Sequence, residues 1–394
     1  MAGRILPKEL HIEGIQTTVP CRVTEPGARR LRHITAAAAN ANANANANAN
    51  ANAYAAPLFQ SRLRIVLYYR SAGKEESAWT VAAWMKESLG TALAEMPELA
   101  GRLRRAGVGE GEGEWEVKLN DAGVRIVHAA VTEVSMAEFL EAVAAEADKE
   151  EPLAYWVDVD GESPEYSALL YMQVTQFQGD GYAIGISCSL LLADPLFLIQ
   201  FLKSSVETQT KMLGQGLFMK NSIFHFGHYQ TPTRPKYLKS IPFDSGAAST
   251  ATILFKISYN EGRNELPYKA IASSCLKEAT ERVNGKVVDK FCLMINYGNG
   301  VPKDLRIESC TRVEEPSPAI DLQLDNFIKV VQWDPFGIKE LALTQGNKPV
   351  HVSYHMVSPS SFSSNNEGLV VLMSPYKDIK GVFEMMISVT IPKK

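Results

Sequence analysis

The side chains that could do chemistry in this 394-residue chain are few. Asp194 closes the run Ile184-Gly185-Ile186-Ser187-Cys188-Ser189-Leu190-Leu191-Leu192-Ala193-Asp194-Pro195, ahead of a helical pattern over Leu196–Val206. A polar residue where a buried strand turns into a helix is a candidate site; its other readings are a helix cap or a structural salt bridge. Cys188 lies on the same strand. A thiol there is a nucleophile only with a partner base and an electropositive setting, and otherwise packs as a small hydrophobe. His225 and His228, in His-Phe-Gly-His, lack the Cys or acidic ligands that would complete a metal centre, so no metal is expected. His351 and His355 share one face of a strand but lie about 13 Å apart at roughly 3.3 Å per residue, too far to hold one ion. Either is a candidate base if the fold brings it to Asp194.

The elements that must position these residues follow from periodicity. Leu63–Tyr69 reads as a buried strand, and Val81, Trp84, Met85, Leu89 and Leu93 place one apolar face on a helix over Thr80–Ala94. Trp115–Leu119 and Val124–Val127 read as strands of a hairpin-rich sheet. Ser135–Ala147 reads as a helix capped by Ser135, with Glu138 at the capping-box position. Ala168–Phe177 and Tyr182–Ser187 form a hairpin across Gly179-Asp180-Gly181, and Pro195 suits the first turn of the helix that follows. Lys211–Gly246, rich in Pro, Gly and polar residues, reads as a linker. Beyond it the pattern predicts a strand at Thr252–Ser258 and a helix at Pro267–Val283. Further strands are predicted at Lys290–Tyr297, Phe327–Trp333, His351–Met356, Gly368–Met373 and Val382–Ile391. Two soft segments interrupt the order: the Asn/Ala alternation within 36–56, a low-complexity surface loop, and the acidic Gly107–Glu114 turn. Neither carries a phosphate-loop signature. The fold class is α/β in two mixed-sheet domains, residues 1–210 and 247–394, joined by 211–246.

Composition narrows the function classes. Lys+Arg number 40 against 44 Asp+Glu, giving a net charge of −4 and an isoelectric point near 6.0, without the basic excess of a nucleic-acid binder. Hydrophobic residues make up 46%, enough for sizeable cores. No apolar run approaches the roughly 18–20 residues that cross a bilayer. The first 30 residues show no signal-peptide pattern. Cys21, Cys188, Cys275, Cys292 and Cys310 are odd in number and widely spaced, as expected of free thiols in a reducing compartment. These features predict a soluble cytoplasmic protein.

Several segments, in order along most of the chain, resemble the plant BAHD acyltransferase family. Met96-Pro97-Glu98-Leu99-Ala100-Gly101-Arg102-Leu103 is similar to the family's Pro-Leu-Ala-Gly-Arg-Leu signature, and Leu119-Asn120-Asp121-Ala122-Gly123-Val124 to its Asn-Asp-x-Gly-Val. Gln173-Val174-Thr175-Gln176-Phe177 leads into the strand that in the family ends Ser-x-Ser-His-x-x-x-Asp-Gly. Tyr297-Gly298-Asn299 and Lys348-Pro349-Val350 resemble family motifs of the second half. The resemblance implies two similar domains of the CoA-dependent, chloramphenicol acetyltransferase-like type with a tunnel between them. It also implies a monomer that moves acyl groups from coenzyme A thioesters, with acyl-CoA as co-substrate or ligand and no bound cofactor.

The departures are as informative. Asp194 matches the family aspartate, but the general-base histidine falls on Leu190 and the following glycine on Pro195. A leucine cannot take a proton from an attacking hydroxyl or amine. The family's Asp-Phe-Gly-Trp-Gly loop is replaced by Leu343-Thr344-Gln345-Gly346-Asn347, with a faint echo at Asp334-Pro335-Phe336-Gly337, and the second half is short. Similar erosion marks the eceriferum or glossy branch, which Glu340–Pro349 and the Gln-Val-Thr-Gln-Phe strand resemble. That branch implies an accessory role in very-long-chain acyl elongation for surface wax. The expected partner is a ketoacyl-CoA synthase condensing enzyme at the cytosolic face of the endoplasmic reticulum. The candidate tunnel residues are Cys188, Leu190, Leu192 and Asp194, with His351 and His355 as substitute bases. Leu190–Leu192 reads as core packing or as an apolar tunnel wall suited to a long acyl chain. An active transferase with an altered base and a paralogue without function are the alternatives.

Overall fold

The computed structural model describes the chain apart from residues 1–6, 26–30, 38–56, 72–76, 107–114, 145–146, 180, 216–236, 244–249, 260–266, 298–302, 313–327, 334–335, 343–345, 374, 378–381 and 394. In chain order its elements begin β1 (Glu9–Thr18), β2 (Leu31–Ala37), β3 (Arg62–Arg70), α1 (Ala78–Glu95), β4 (Arg102–Arg105), β5 (Trp115–Lys118) and β6 (Val124–Ser135). Next come α2 (Met136–Val143), β7 (Leu170–Gln178), β8 (Gly181–Ser189), α3 (Pro195–Gly214), β9 (Lys239–Pro242), β10 (Thr250–Tyr259) and α4 (Tyr268–Val283). The last are β11 (Lys290–Tyr297), β12 (Asp304–Thr311), β13 (Ile328–Val331), β14 (His351–Val357), α5 (Ser360–Ser364), β15 (Glu367–Leu372), β16 (Tyr376–Lys377) and β17 (Phe383–Pro392).

The strands form two mixed sheets. One runs β14-β3-β8-β7-β6-β1-β9, and the other β13-β10-β17-β15-β11-β12-β2-β5-β4, with β16 beside β17. Each is mainly antiparallel with parallel neighbours, β6 with β7 in the first, β11 with β15 and β12 with β2 in the second. The sheets do not divide along the sequence at 211–246. Strand β14 returns from the C-terminal half to pair with β3, and β2, β4 and β5 cross from the N-terminal half into the second sheet. Within the expected linker, α3 continues to Gly214 and β9 pairs with β1, while 216–236 lies outside the described residues.

Burial follows the period of two along the strands. Leu63, Ile65, Leu67 and Tyr69 of β3, and Ile184, Ile186 and Cys188 of β8, face a central core. The second sheet adds Met294, Leu305, Ile307 and Leu369, and α1 and α3 add Val81, Leu89, Leu198 and Phe201. The opposite face of the first sheet (Val66, Tyr68, Ala183) packs on Phe139 of α2, and the outer face of the second on Ile271, Cys275, Leu276 and Ala279 of α4.

Local signals hold where they are chemical. Ser77 caps α1 by accepting the Thr80 N–H, and Ser135 with Glu138 forms the expected capping box on α2, although that helix stops at Val143. Trp115–Leu119 and Val124–Val127 are strands as expected, but of different sheets. Strand β5 pairs with β2 and β4, whereas β6 belongs to the other sheet, so this stretch is where the chain changes layers. The Asn/Ala run from 38 to 56 and the 107–114 turn lie outside the described residues. No helix among the described residues is long and apolar enough to cross a membrane, and no group of three His, Cys, Asp or Glu is placed to hold a metal. The five thiols are free, with Cys21 exposed and the others buried.

Candidate functional site

Strand β8 ends at Ser189, and a tight turn delivers Asp194. Leu191 N–H donates to Ser189 Oγ at 3.2 Å, and the N–H groups of Leu192 and Ala193 donate to the Ser189 carbonyl at 3.0 and 3.3 Å. Asp194 is extended (φ −76°, ψ 159°), and its Oδ1 accepts the Phe197 N–H at 2.9 Å, with Pro195 in the first helical position. It is therefore a helix cap, as one reading of the sequence had it. Asp194 is also a wall of a cavity.

That cavity, of about 540 Å³, lies where the start of α3 meets β2 and β11 of the second sheet. Leu192, Leu196, Phe197, Ile199 and Phe336 make its apolar side, and Arg32, Glu98, Asp194, Asn296, Lys203 and Lys303 its polar one. An apolar wall facing groups that can fix a ligand's orientation suits a small-molecule site, here with as many polar residues as apolar ones in the lining. No histidine or cysteine is among the described residues lining it.

Arg32, on the strand that crosses between halves, is only 5% exposed. Its Nη2 donates to Asn296 Oδ1 at 2.6 Å, and Asn296 Nδ2 donates in turn to the Leu372 carbonyl at 3.3 Å. Burial pushes the guanidinium down to about 10, while Asp194, Asp304, Cys188 and Glu98 pull it back towards its charged form. It stays a cation at neutral pH, held in place by the second sheet. Gly337, at φ 70°, sits over Lys203; a Cβ there would stand 3.2 Å from Nζ.

Glu98 reaches the cavity from the single 3₁₀ turn Pro97–Ala100. Gly101 fixes that turn, since a Cβ at this position would meet Val117 Cγ1 at 2.7 Å and the Lys118 carbonyl at 3.0 Å. The Glu98 carboxyl is 7% exposed, and its Oε2 is buried with no hydrogen-bond partner among the described residues. Burial raises its pKa above the usual 4.5, opposed by its own backbone N–H and by Arg32. A buried polar atom left without a partner costs about 1–3 kcal/mol.

The sequence-predicted residues divide. Leu192 and Asp194 line the cavity; Cys188 and Leu190 do not, being packed in the central core. The Leu190 N–H donates to the Ser61 carbonyl at 3.0 Å. Burial pushes the Cys188 thiol up to about 12, against which Arg32 is a smaller influence, and Sγ donates weakly to the Ser189 carbonyl at 3.6 Å. At neutral pH it is a protonated, inert thiol.

The histidine expectation is corrected. His355 pairs across the ladder with Arg64 and His351 with Tyr68, so both project from the sheet face opposite Cys188. His355 Nε2 lies 3.3 Å from Glu150 Oε2, and His351 packs against the Tyr68 ring at 5.6 Å. Neither lines the cavity. His225 and His228, the Leu343-Thr344-Gln345 replacement and Asp334-Pro335 lie outside the described residues. The sequence reading missed Arg32, Glu98 and Asn296, which become neighbours only through strand exchange between the sheets.

The cavity thus lies where the two mixed sheets meet, with polar and apolar side chains in its lining. Residues 57–291 match the Transferase family, and the chain belongs to that family, the BAHD-type acyltransferases. Among curated proteins it is similar to Protein ECERIFERUM 2 of Arabidopsis thaliana, 30% identical over 131 residues. That match covers 33% of this chain and spans about a quarter of the length of the relative, 26%. Among solved structures it is similar to vinorine synthase (14% identity, TM-score 0.45, covering 96% of this chain and 94% of that one). It is also similar to F. sporotrichioides TRI101 complexed with coenzyme A and T-2 (13% identity, TM-score 0.44, covering 84% and 92%).

Proposed function

We propose that this protein binds a long-chain acyl group, as an acyl-CoA thioester or the acyl chain itself, in the cavity beside Asp194, and that it performs little ordinary acyl transfer. The observation that carries this reading is the absence of an imidazole from the described cavity lining. Where the family resemblance expects a base, Leu190 is packed in apolar core. Without a positioned base an attacking alcohol or amine keeps its proton, and about 10²–10⁴ of rate is forgone. The binding surface survives that loss: an apolar wall for a chain, and Arg32, Lys203 and Lys303 for a negatively charged head group.

The physiological role that suits this combination is that of an accessory component in very-long-chain acyl elongation for cuticular wax. Its partner would be a ketoacyl-CoA synthase at the cytosolic face of the endoplasmic reticulum. The partial likeness to ECERIFERUM 2 supports it. The test is direct. Purified protein supplied with acyl-CoA donors of graded length and with alcohol or amine acceptors should turn over at a small fraction of the rate of a histidine-bearing relative, and Leu190→His should give no gain. Turnover comparable with that relative refutes the reading.

A further inference from the structure

The cavity lining grades from closed to open along one helix. Leu192 and Asp194, just before α3, are buried; Leu196, in its first turn, is half-buried; Gln200 and Lys203, further along, are exposed. Leu196, Ile199, Gln200 and Lys203 recur at the spacing of one helix face, so a single stripe of α3 runs from the closed end to the open one. From Asp194 to Lys203 the helix rises about 13.5 Å.

The two ends also differ in charge. At the closed end Arg32 is the cation, and it is already opposed by Asp194, Asp304 and Glu98 and donates to Asn296. At the open end the Lys203 ammonium lies against the backbone of Gly337, where a Cβ would stand 3.2 Å from Nζ. Neither Lys203 nor the half-buried Lys303 has a hydrogen-bond or ion-pair partner among the described residues. We infer that a long-chain ligand enters this cavity chain-first, with its anionic head left at the open end on Lys203 and Lys303 and its apolar chain running inward along Leu196 and Ile199.

This orientation rests on the reading that the cavity takes an acyl chain, and it goes further in keeping the head group out. Burying the chain is favourable in proportion to the apolar surface removed from water. An anionic head carried to the closed end would lose its water beside carboxylates that already share the one cation there. Held at the rim, the head stays within reach of another protein, which is what an accessory role demands. A fatty-acid carboxylate and a coenzyme A phosphate offer Lys203 the same chemistry.

The experiment measures binding to the full chain by equilibrium dialysis at low ionic strength, with palmitate, palmitoyl-CoA and hexadecanedioate. Hexadecanedioate carries a carboxylate at each end of the same chain, so chain-first entry buries one of them. It should bind at least about a hundredfold more weakly than palmitate. Lys203→Glu combined with Lys303→Glu should weaken palmitate or palmitoyl-CoA about tenfold, and added salt should shrink that difference. Weaker palmitate assigns a carboxylate to the lysines, and weaker palmitoyl-CoA alone assigns a phosphate. Hexadecanedioate bound as tightly as palmitate, or both other ligands bound equally by wild type and the double variant, overturns this inference and leaves the binding reading standing. Failure of both palmitate and palmitoyl-CoA to bind overturns both.

Discussion

Glu98 and Glu150 are both buried glutamates, and their carboxyls shift in opposite directions. Glu98, in the cavity, keeps an oxygen without a partner and is pushed up by burial. Glu150, on the far side of the first sheet, is 2% exposed, and burial pushes it up as well. Its hydrogen bonds reverse the outcome: Tyr68 Oη donates to Oε1 at 2.6 Å, His355 pairs with Oε2 at 3.3 Å, and the net shift is downward. Burial is common to the two; the number of partners decides. The difference separates a satisfied buried carboxylate from an unsatisfied one. The far side of the sheet holds an imidazole and a carboxylate already satisfied by each other, while Glu98 keeps a buried oxygen without a partner among the described residues.

The largest expected effect tests the cation that opposes Glu98 and its neighbours. Arg32 is the buried cation facing Asp194, Asp304 and Glu98, so Arg32→Met leaves buried carboxylates unopposed and should cost about 3–5 kcal/mol in urea unfolding. Combined with Glu98→Gln, part of that loss should return, as a coupling of about 0.5–3 kcal/mol. A loss under about 1 kcal/mol from the single change would show that Arg32 is not what holds these charges in place.

Next in size is the direct contrast of the two glutamates. Glu150→Gln disrupts bonds to Tyr68 and His355 and should destabilise by about 1–3 kcal/mol, whereas Glu98→Gln removes a poorly satisfied charge and should be neutral or stabilising. The pH dependence should also differ in sign. The folded-state pKa of Glu150 lies below 4.5, so its contribution is present above that value and lost as pH falls through the depressed one. The destabilisation by Glu150→Gln should therefore grow as pH rises into the range above 4.5. The folded pKa of Glu98 lies above 4.5, so wild-type stability declines as pH rises from there through the raised value, and Glu98→Gln should gain relative to wild type over that window. Matching signs in the two variants would break the contrast.

Local chemistry in the sequence anticipated local structure closely. Ser135 with Glu138, the antiparallel pair β7–β8 and Pro195 after Asp194 match the sequence, because cap and turn residues act on backbone within a few positions. Layer membership was not legible. Strand β2 goes unread, β5 reads as a strand without its sheet, and β14 pairs with β3 across most of the chain's length. The site depended on that long-range pairing. Arg32 reads in sequence as an ordinary basic residue and becomes a buried cation only when β2 lies beside β12. Glu98 did leave a trace, a carboxylate set between Pro97 and Leu99. The two histidines were placed correctly on one strand face, but which face of the sheet that would be is set by register, and register put them on the other side.

The smallest effect bears on Asp194, which is both cap and cavity wall. Its Oδ1 satisfies the Phe197 N–H, one of the donors a helix start leaves open, so Asp194→Ala should cost about 1 kcal/mol and fray the first turn of α3. Asp194→Asn keeps an accepting oxygen and should cost only a few tenths of that, while removing one of the charges that oppose Arg32 deprotonation. Thermal unfolding of the pair separates the two roles. If capping dominates, Asn tracks wild type and Ala alone falls. If the charge facing Arg32 dominates, Asn and Ala fall together, because the guanidinium has then lost a buried counter-charge that a neutral amide cannot replace.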